Sequence, residues 1–231
     1  MNAEDFFKEH GVLELVKAGE KGDTQKIMEL VGRGVNINAV GEQGVTPLLW
    51  TLGVQKKISL KILLKHGANP DYIAPDGTSA VILASGANDP ELLKILLEGG
   101  GNPNIKDKNG EPALFTAIYQ VRMENIKLLL DFGADINLTN RNNETAALHA
   151  AILNKYEVVA YLISRGTDIS VTTGQGVTLT SEVQDAFSHL DKTSENYKWL
   201  EKVAEMLKER GVNVLRSGLS GEGDAFSIGF K

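Results

Sequence analysis

Four histidines are the side chains to test first for chemistry, because imidazole serves both as a metal ligand and as a general base. They are His10, His66, His149 and His189. No two stand at metal-ligand spacing, and the chain has no cysteine to build a thiolate site or a disulfide. His66 precedes Gly67 at the end of an apolar run, where an imidazole can meet the last carbonyls of a helix. His149 stands beside Ala150 and Ala151, so packing within a helix is its expected role. For neither does the sequence imply a nucleophile or an acid partner. Gly99-Gly100-Gly101 has the outline of a phosphate loop. No Lys-Ser/Thr follows it, however, and it closes a helix where a phosphate loop opens one. Gly99 and Gly101 read as loop filler. Ser217-Gly218-Leu219-Ser220-Gly221 lacks the strand-to-helix frame of a nucleophile elbow. The expectation is a chain with no catalytic residue, no metal site and no cofactor, and hence not an enzyme.

Composition narrows the classes further. The 231 residues are 42% hydrophobic and 23% charged, values of an ordinary globular chain. A net charge of −6 speaks against nucleic acid as partner, since phosphate contact needs clustered Lys and Arg. Residues 1–115 and 116–231 each carry 12 basic and 15 acidic side chains, so no charged tail stands apart. No apolar run is long enough to span a membrane. The start, Met1-Asn2-Ala3-Glu4-Asp5-Phe6, lacks the basic and apolar stretches of a secretory signal. As numbered, the chain is expected in the cytoplasm. If a signal precedes this numbering and is removed, the periplasm is expected instead.

The elements that position every side chain come from a repeat. Gly34, Gly67, Gly100, Gly133 and Gly166 recur every 33 residues. So do Gly44, Gly77, Gly110, Asn143 and Gly176. Asn suits the fourth place because it tolerates the left-handed backbone that glycine adopts freely. A third series is apolar: Leu30-Val31, Leu63-Leu64, Leu96-Leu97, Leu129-Leu130 and Leu162-Ile163. Ile27, Leu60, Leu93, Ile126 and Val159 stand three residues before each pair, on one helical face. Each unit reads as a turn, a short helix, a second helix closed by the first-series glycine, and a polar link. Thr46-Pro47 opens the first short helix, with Thr as cap and Pro in the first turn. The link is Gly-x-Asn/Asp-x-Asn/Asp, as in Gly67-Ala68-Asn69-Pro70-Asp71, whose short polar side chains can bond back to their own backbone.

This pattern resembles the ankyrin repeat. The 33-residue period, Thr46-Pro47-Leu48 and Leu63-Leu64-x-x-Gly67-Ala68-Asn69 carry the resemblance, which covers about residues 13–215. The family's usual first-helix histidine is replaced by Leu49, Ile82, Phe115 and Leu148, with His149 one place later. Its threonine is Ser79 in the second full unit and Pro112 in the third, changes expected to weaken bonds between repeats. The implied fold is an all-α ankyrin-repeat solenoid of stacked helix pairs with short β-turn or hairpin connections. Residues 1–40 are expected to form N-terminal capping helices or a degenerate repeat, and 41–172 four full repeats. Residues 173–215 are expected to form an enlarged C-terminal capping repeat, and 216–231 a tail. Gly166 to Gly211 is 45 residues, and the 12 extra are expected near His189–Tyr197. In the tail, Phe226, Ile228 and Phe230 alternate, so a short strand or a docked segment is open.

A stack of such units offers an extended concave face and no enclosed pocket, which suits a protein partner. The free chain is expected to be a monomer. The residues expected at the surface of the turns are Glu42, Gln43, Asp76, Lys108, Asn109, Glu111, Arg141, Asn142 and Glu144. Val54, Tyr119, Gln120 and Leu153 lie late in the first helices, and Trp50 and Tyr72 are the aromatics nearest the first full turn. The expected footprint centres on Trp50, Tyr72, Tyr119 and Arg141, because Tyr, Trp and Arg dominate interface energetics. Packing inside the stack is the competing role for Trp50. Gln43-Gly44-Val45-Thr46-Pro47-Leu48-Leu49-Trp50, Gly100-Gly101-Asn102-Pro103-Asn104 and the long final helix around Trp199–Gly211 resemble bacterial ankyrin proteins encoded beside type VI secretion effectors. That resemblance implies an immunity protein that binds and blocks a toxin such as a lipase. A scaffold, or a secreted effector that recruits a host protein, is the alternative.

Overall fold

The structure is a computed structural model, and it describes residues 2–215. Thirteen α-helices follow one another among these residues. A four-residue helix, α1 (Ala3–Phe6), precedes six antiparallel pairs. The pairs are α2 (His10–Lys21) with α3 (Thr24–Gly32), α4 (Pro47–Gly53) with α5 (Lys57–Lys65), and α6 (Ala80–Ser85) with α7 (Pro90–Glu98). They continue as α8 (Ala113–Tyr119) with α9 (Met123–Asp131), α10 (Ala146–Ile152) with α11 (Tyr156–Ser164), and α12 (Leu179–His189) with α13 (Glu195–Glu209). The first helices stack in order from α2 to α12. The second helices form the other layer, with α3, α5, α7 and α9 in sequence and α11 against α13. An Arg165–Asp131 ion pair at 3.0 Å ties α11 to α9.

Capping explains why the short first helices start where they do. Thr46, Ser79, Thr145 and Thr178 each accept a hydrogen bond from a backbone N–H in the first turn that follows. Ser79 therefore caps its helix as the threonines do. Pro112 has no hydroxyl and leaves its helix without a side-chain cap, a loss of about 1 kcal/mol. Asn143 takes φ 60°, beside +80° to +96° for Gly44, Gly77, Gly110 and Gly176, as its place in the series predicts.

The polar links do more than hold their own turns. The first Asn or Asp of each link bonds back to its own backbone: Asn36 to Asn38 N, Asn69 to Asp71 N, Asn102 to Asn104 N and Asp135 to Asn137 N. The second accepts from the next link: Asn38 from Asn69 N, Asp71 from Asn102 N, Asn104 from Asp135 N and Asn137 from Asp168 N, at 2.7–2.8 Å. The links form one continuous ladder along the solenoid.

The loop-filler reading of Gly99 and Gly101 is corrected. A Cβ on Gly101 would lie 2.8 Å from Val81 and 2.9 Å from the Leu96 carbonyl, and one on Gly99 would lie 2.8 Å from Leu64. Gly99 is small because the preceding unit comes close, and Gly101 because its own unit's first helix does.

The core runs the length of the stack. Ile27, Leu60, Leu93, Ile126 and Val159 are fully buried, and so are Leu30, Leu63, Leu96, Leu129 and Leu162. Each such side chain contributes about 1.5–3 kcal/mol. Among the described residues one buried side-chain polar group lacks a partner, the Thr51 hydroxyl, where the later units place Ala84, Ala117 and Ala150. The extra residues of the last unit are spread more widely than His189–Tyr197. They lengthen α12 to 11 residues and α13 to 15, against seven and nine in α10 and α11. The alternation at Phe226, Ile228 and Phe230 lies outside the described residues.

Candidate protein-binding surface

The hairpin tips and the first helices share one side of the stack, and two clefts open there. Val45, Thr78, Glu111, Glu144 and Val177 recur every 33 residues on the tips. On the helices the facing column is Trp50, Leu83, Thr116, His149 and Glu182, and beside it Gly53, Gly86, Tyr119, Ile152 and Asp185. The first column passes from apolar at one end to ionisable at the other.

The N-terminal cleft, about 360 Å³, lies between the first two full units and is lined by Val45, Leu49, Trp50, Gly53, Val54, Ala74 and Leu83, with Glu20, Gln43 and Asp76 among its polar residues. Trp50 is only 7% exposed here, which corrects its expected role as an accessible anchor. Its ring packs on Phe6 and Phe7 at centroid distances of 5.4 and 6.0 Å, and its Nε1 donates to Glu20 at 2.7 Å. Ala3, Val12 and Val16 complete this cluster, so Trp50 fastens the N-terminal cap to the first unit. Tyr72 is also corrected: it is half-buried against the main core. Leu83, 48% exposed, takes the open position that Trp50 does not.

The C-terminal cleft, about 470 Å³, is lined by Arg141, Asn142, Glu144, Ile152, Gln175 and Glu182 among others. Behind the lining residue Glu144 stands His149, with its ring 4.8 Å from Phe115 and its Nδ1 2.8 Å from Glu144. The sequence did not imply that acid partner. Burial raises the Glu144 pKa, but bonds from His149, Asn140 and Asn142 outweigh it and hold the carboxyl below its ordinary value. Burial raises the Glu111 pKa, with Glu144 and Asp107 adding to it against the pull of His149 and Asn140. Burial likewise raises that of Glu182, with Asp185 and Glu144 adding to it against His189.

The tip residues divide. Glu42, Gln43, Asp76, Asn109 and Asn142 are exposed, whereas Glu111 and Glu144 are half-buried and turned toward the helices. Lys108 and Arg141 are exposed but committed, Lys108 Nζ to the Pro75 carbonyl at 3.4 Å and Arg141 to the Lys108 carbonyl at 2.5 Å. Each cation thus staples its tip to the preceding one. Tyr119 is 65% exposed and Gln120 is open beside it. Leu83, Ile152 and Glu182 were missed. Stepping 33 residues from Trp50 finds Leu83 and Glu182, and from Tyr119 finds Ile152 rather than Leu153.

Among the described residues, no group of three or more His, Cys, Asp or Glu is placed to hold a metal ion, and no helix is long and apolar enough to cross a membrane. A family model described as ankyrin repeats (3 copies) matches residues 15–107 and again 82–173. No curated protein matches the chain. An ankyrin repeat domain from Acinetobacter baumannii AYE, solved at 1.00 Å, superposes with a TM-score of 0.71 at 21% identity, covering 85% of this chain and 97% of that one. The repeats, their stacking and these matches make the chain a member of the ankyrin-repeat family, whose fold serves as a protein-interaction module.

Proposed function

We propose that the concave strip of hairpin tips and first helices binds one protein, and that this partner is a secreted bacterial toxin which the chain neutralises. The observation that carries protein binding is the exposed apolar row on the first helices: Val54, Leu83, Tyr119 and Ile152 stay open beside the two clefts. Exposed apolar side chains gathered on one side of the stack mark an interaction surface. The toxin reading rests on the resemblance to bacterial ankyrin proteins encoded beside type VI effectors. Either compartment, cytoplasm or periplasm, is compatible with it.

The test mixes the purified chain with the effector encoded beside it and follows both complex size and toxin activity. The expected result is a one-to-one complex without toxin activity, lost on the double substitution Leu83→Asp and Tyr119→Ala. If no neighbouring gene product binds, the toxin reading fails. If a complex forms but ignores the double substitution, the concave site is wrong.

A further inference from the structure

The charged side chains on the concave side are unequally partnered. Its tip cations, Lys108 and Arg141, are turned to backbone carbonyls of the preceding tips. Glu182 has no Lys or Arg within ion-pair distance among the described residues, and its ionisable neighbours are Asp185, His189 and Glu144. Arg141 lines the same cleft with one guanidinium N–H on Lys108 O, and it is not among the groups that act on Glu182. Glu182 is therefore a half-buried carboxyl on the C-terminal cleft with no Lys or Arg paired to it among the described residues. The N-terminal cleft offers the opposite chemistry, an apolar floor beside Leu83 with Gly53 leaving open space. Tyr119 and Ile152 continue the apolar row between them.

We infer that this groove takes a single polypeptide segment of the partner, with an apolar side chain seated beside Leu83 and a Lys or Arg side chain seated against Glu182. The inference rests on the protein-binding reading above and adds the chemistry of the bound segment. Charge complementarity selects the cation, since a basic side chain supplies the counter-charge that Glu182 lacks. Geometry sets the length. The clefts are three repeats apart, and stacked helices lie about 8–10 Å from each other, so roughly 25–30 Å separates them. An extended segment covers that span with about eight or nine residues, and a helix with about twenty.

The probe is a displayed library of random 20-residue peptides, selected on the full chain and on its Leu83→Asp and Glu182→Gln variants. Both substitutions are at solvent-accessible positions, and circular dichroism confirms that each variant folds. The expected winners carry an apolar and a basic residue at a recurring separation, and Leu83→Asp abolishes their selection. A synthesised winner is expected to bind the Glu182→Gln chain about tenfold more weakly. Changing its basic residue to Gln then costs nothing further on that variant, the signature of a direct pair. Winners without a basic residue, or losses from the two changes that simply add, overturn the inference. So does a library that yields no peptide. In each of those cases the one-to-one complex with a neighbouring effector, measured separately, still decides the protein-binding reading.

Discussion

The two ends of the concave face are built on one register and carry opposite chemistry. At the N-terminal end the column position is Trp50, folded under Phe6 and Phe7 and fastened to Glu20. At the C-terminal end the same position is His149, paired with Glu144, and then Glu182, which lines a polar cleft. The N-terminal end uses its large aromatic to attach the cap, and Leu83 is left as the open apolar surface. The C-terminal end uses His149 to hold Glu144, and Glu182 is left as open charge. A repeat fixes where a side chain stands, and the neighbours decide whether that place is structural or available.

The largest test of this contrast is Trp50→Ala. Removing a buried aromatic costs about 3–5 kcal/mol, so urea unfolding is expected to show the cap detaching or the whole chain weakened. An unchanged unfolding midpoint would return Trp50 to the list of surface anchors. At the opposite end, His149→Phe keeps the stacking on Phe115 but strands the half-buried Glu144 carboxylate, at a cost of about 1–3 kcal/mol. The pH dependence has a definite sign. Glu144 has a lowered folded pKa, so its stabilisation is present above the ordinary carboxylate range and lost as pH falls through the folded value. The His149→Phe deficit should therefore shrink in acid, and a deficit constant from pH 7 to pH 3 would contradict the pairing.

Two smaller effects raise stability. Thr51→Val replaces the unpartnered hydroxyl of the N-terminal half with a methyl of the same shape, where the C-terminal half already has Ala150. A gain of about 1 kcal/mol is expected in thermal unfolding, and a loss would mean that the hydroxyl has a partner. Glu182→Gln is expected to give the smallest gain. Its carboxyl has a raised folded pKa, so ionisation opposes folding, and stability falls as pH rises from the ordinary value through the raised one. The gain should be visible in thermal unfolding at pH 7 and vanish at pH 3, where both states are protonated.

Much of the fold was legible beforehand because the period is strict. The 33-residue step located the helix pairs, the left-handed Asn143 and the buried Leu series from side-chain type alone. The candidate surface was legible only in part. Tyr119 was found from its position late in a first helix, but Leu83 and Ile152 look like core residues in the chain, since a leucine reads the same on either face. Gly101 read as filler because the constraint on it comes from Val81, twenty residues away in sequence.

By itself the sequence determined the repeat and its register, because those depend on local spacing of glycine, capping and apolar residues. Only the tertiary structure decided which register positions remain free. Trp50 is occupied because Phe6 and Phe7, outside any repeat, fold back onto it. Lys108 and Arg141 are occupied because stacking brings each tip within reach of the carbonyl before it. Both outcomes depend on contacts between units, which no single period encodes.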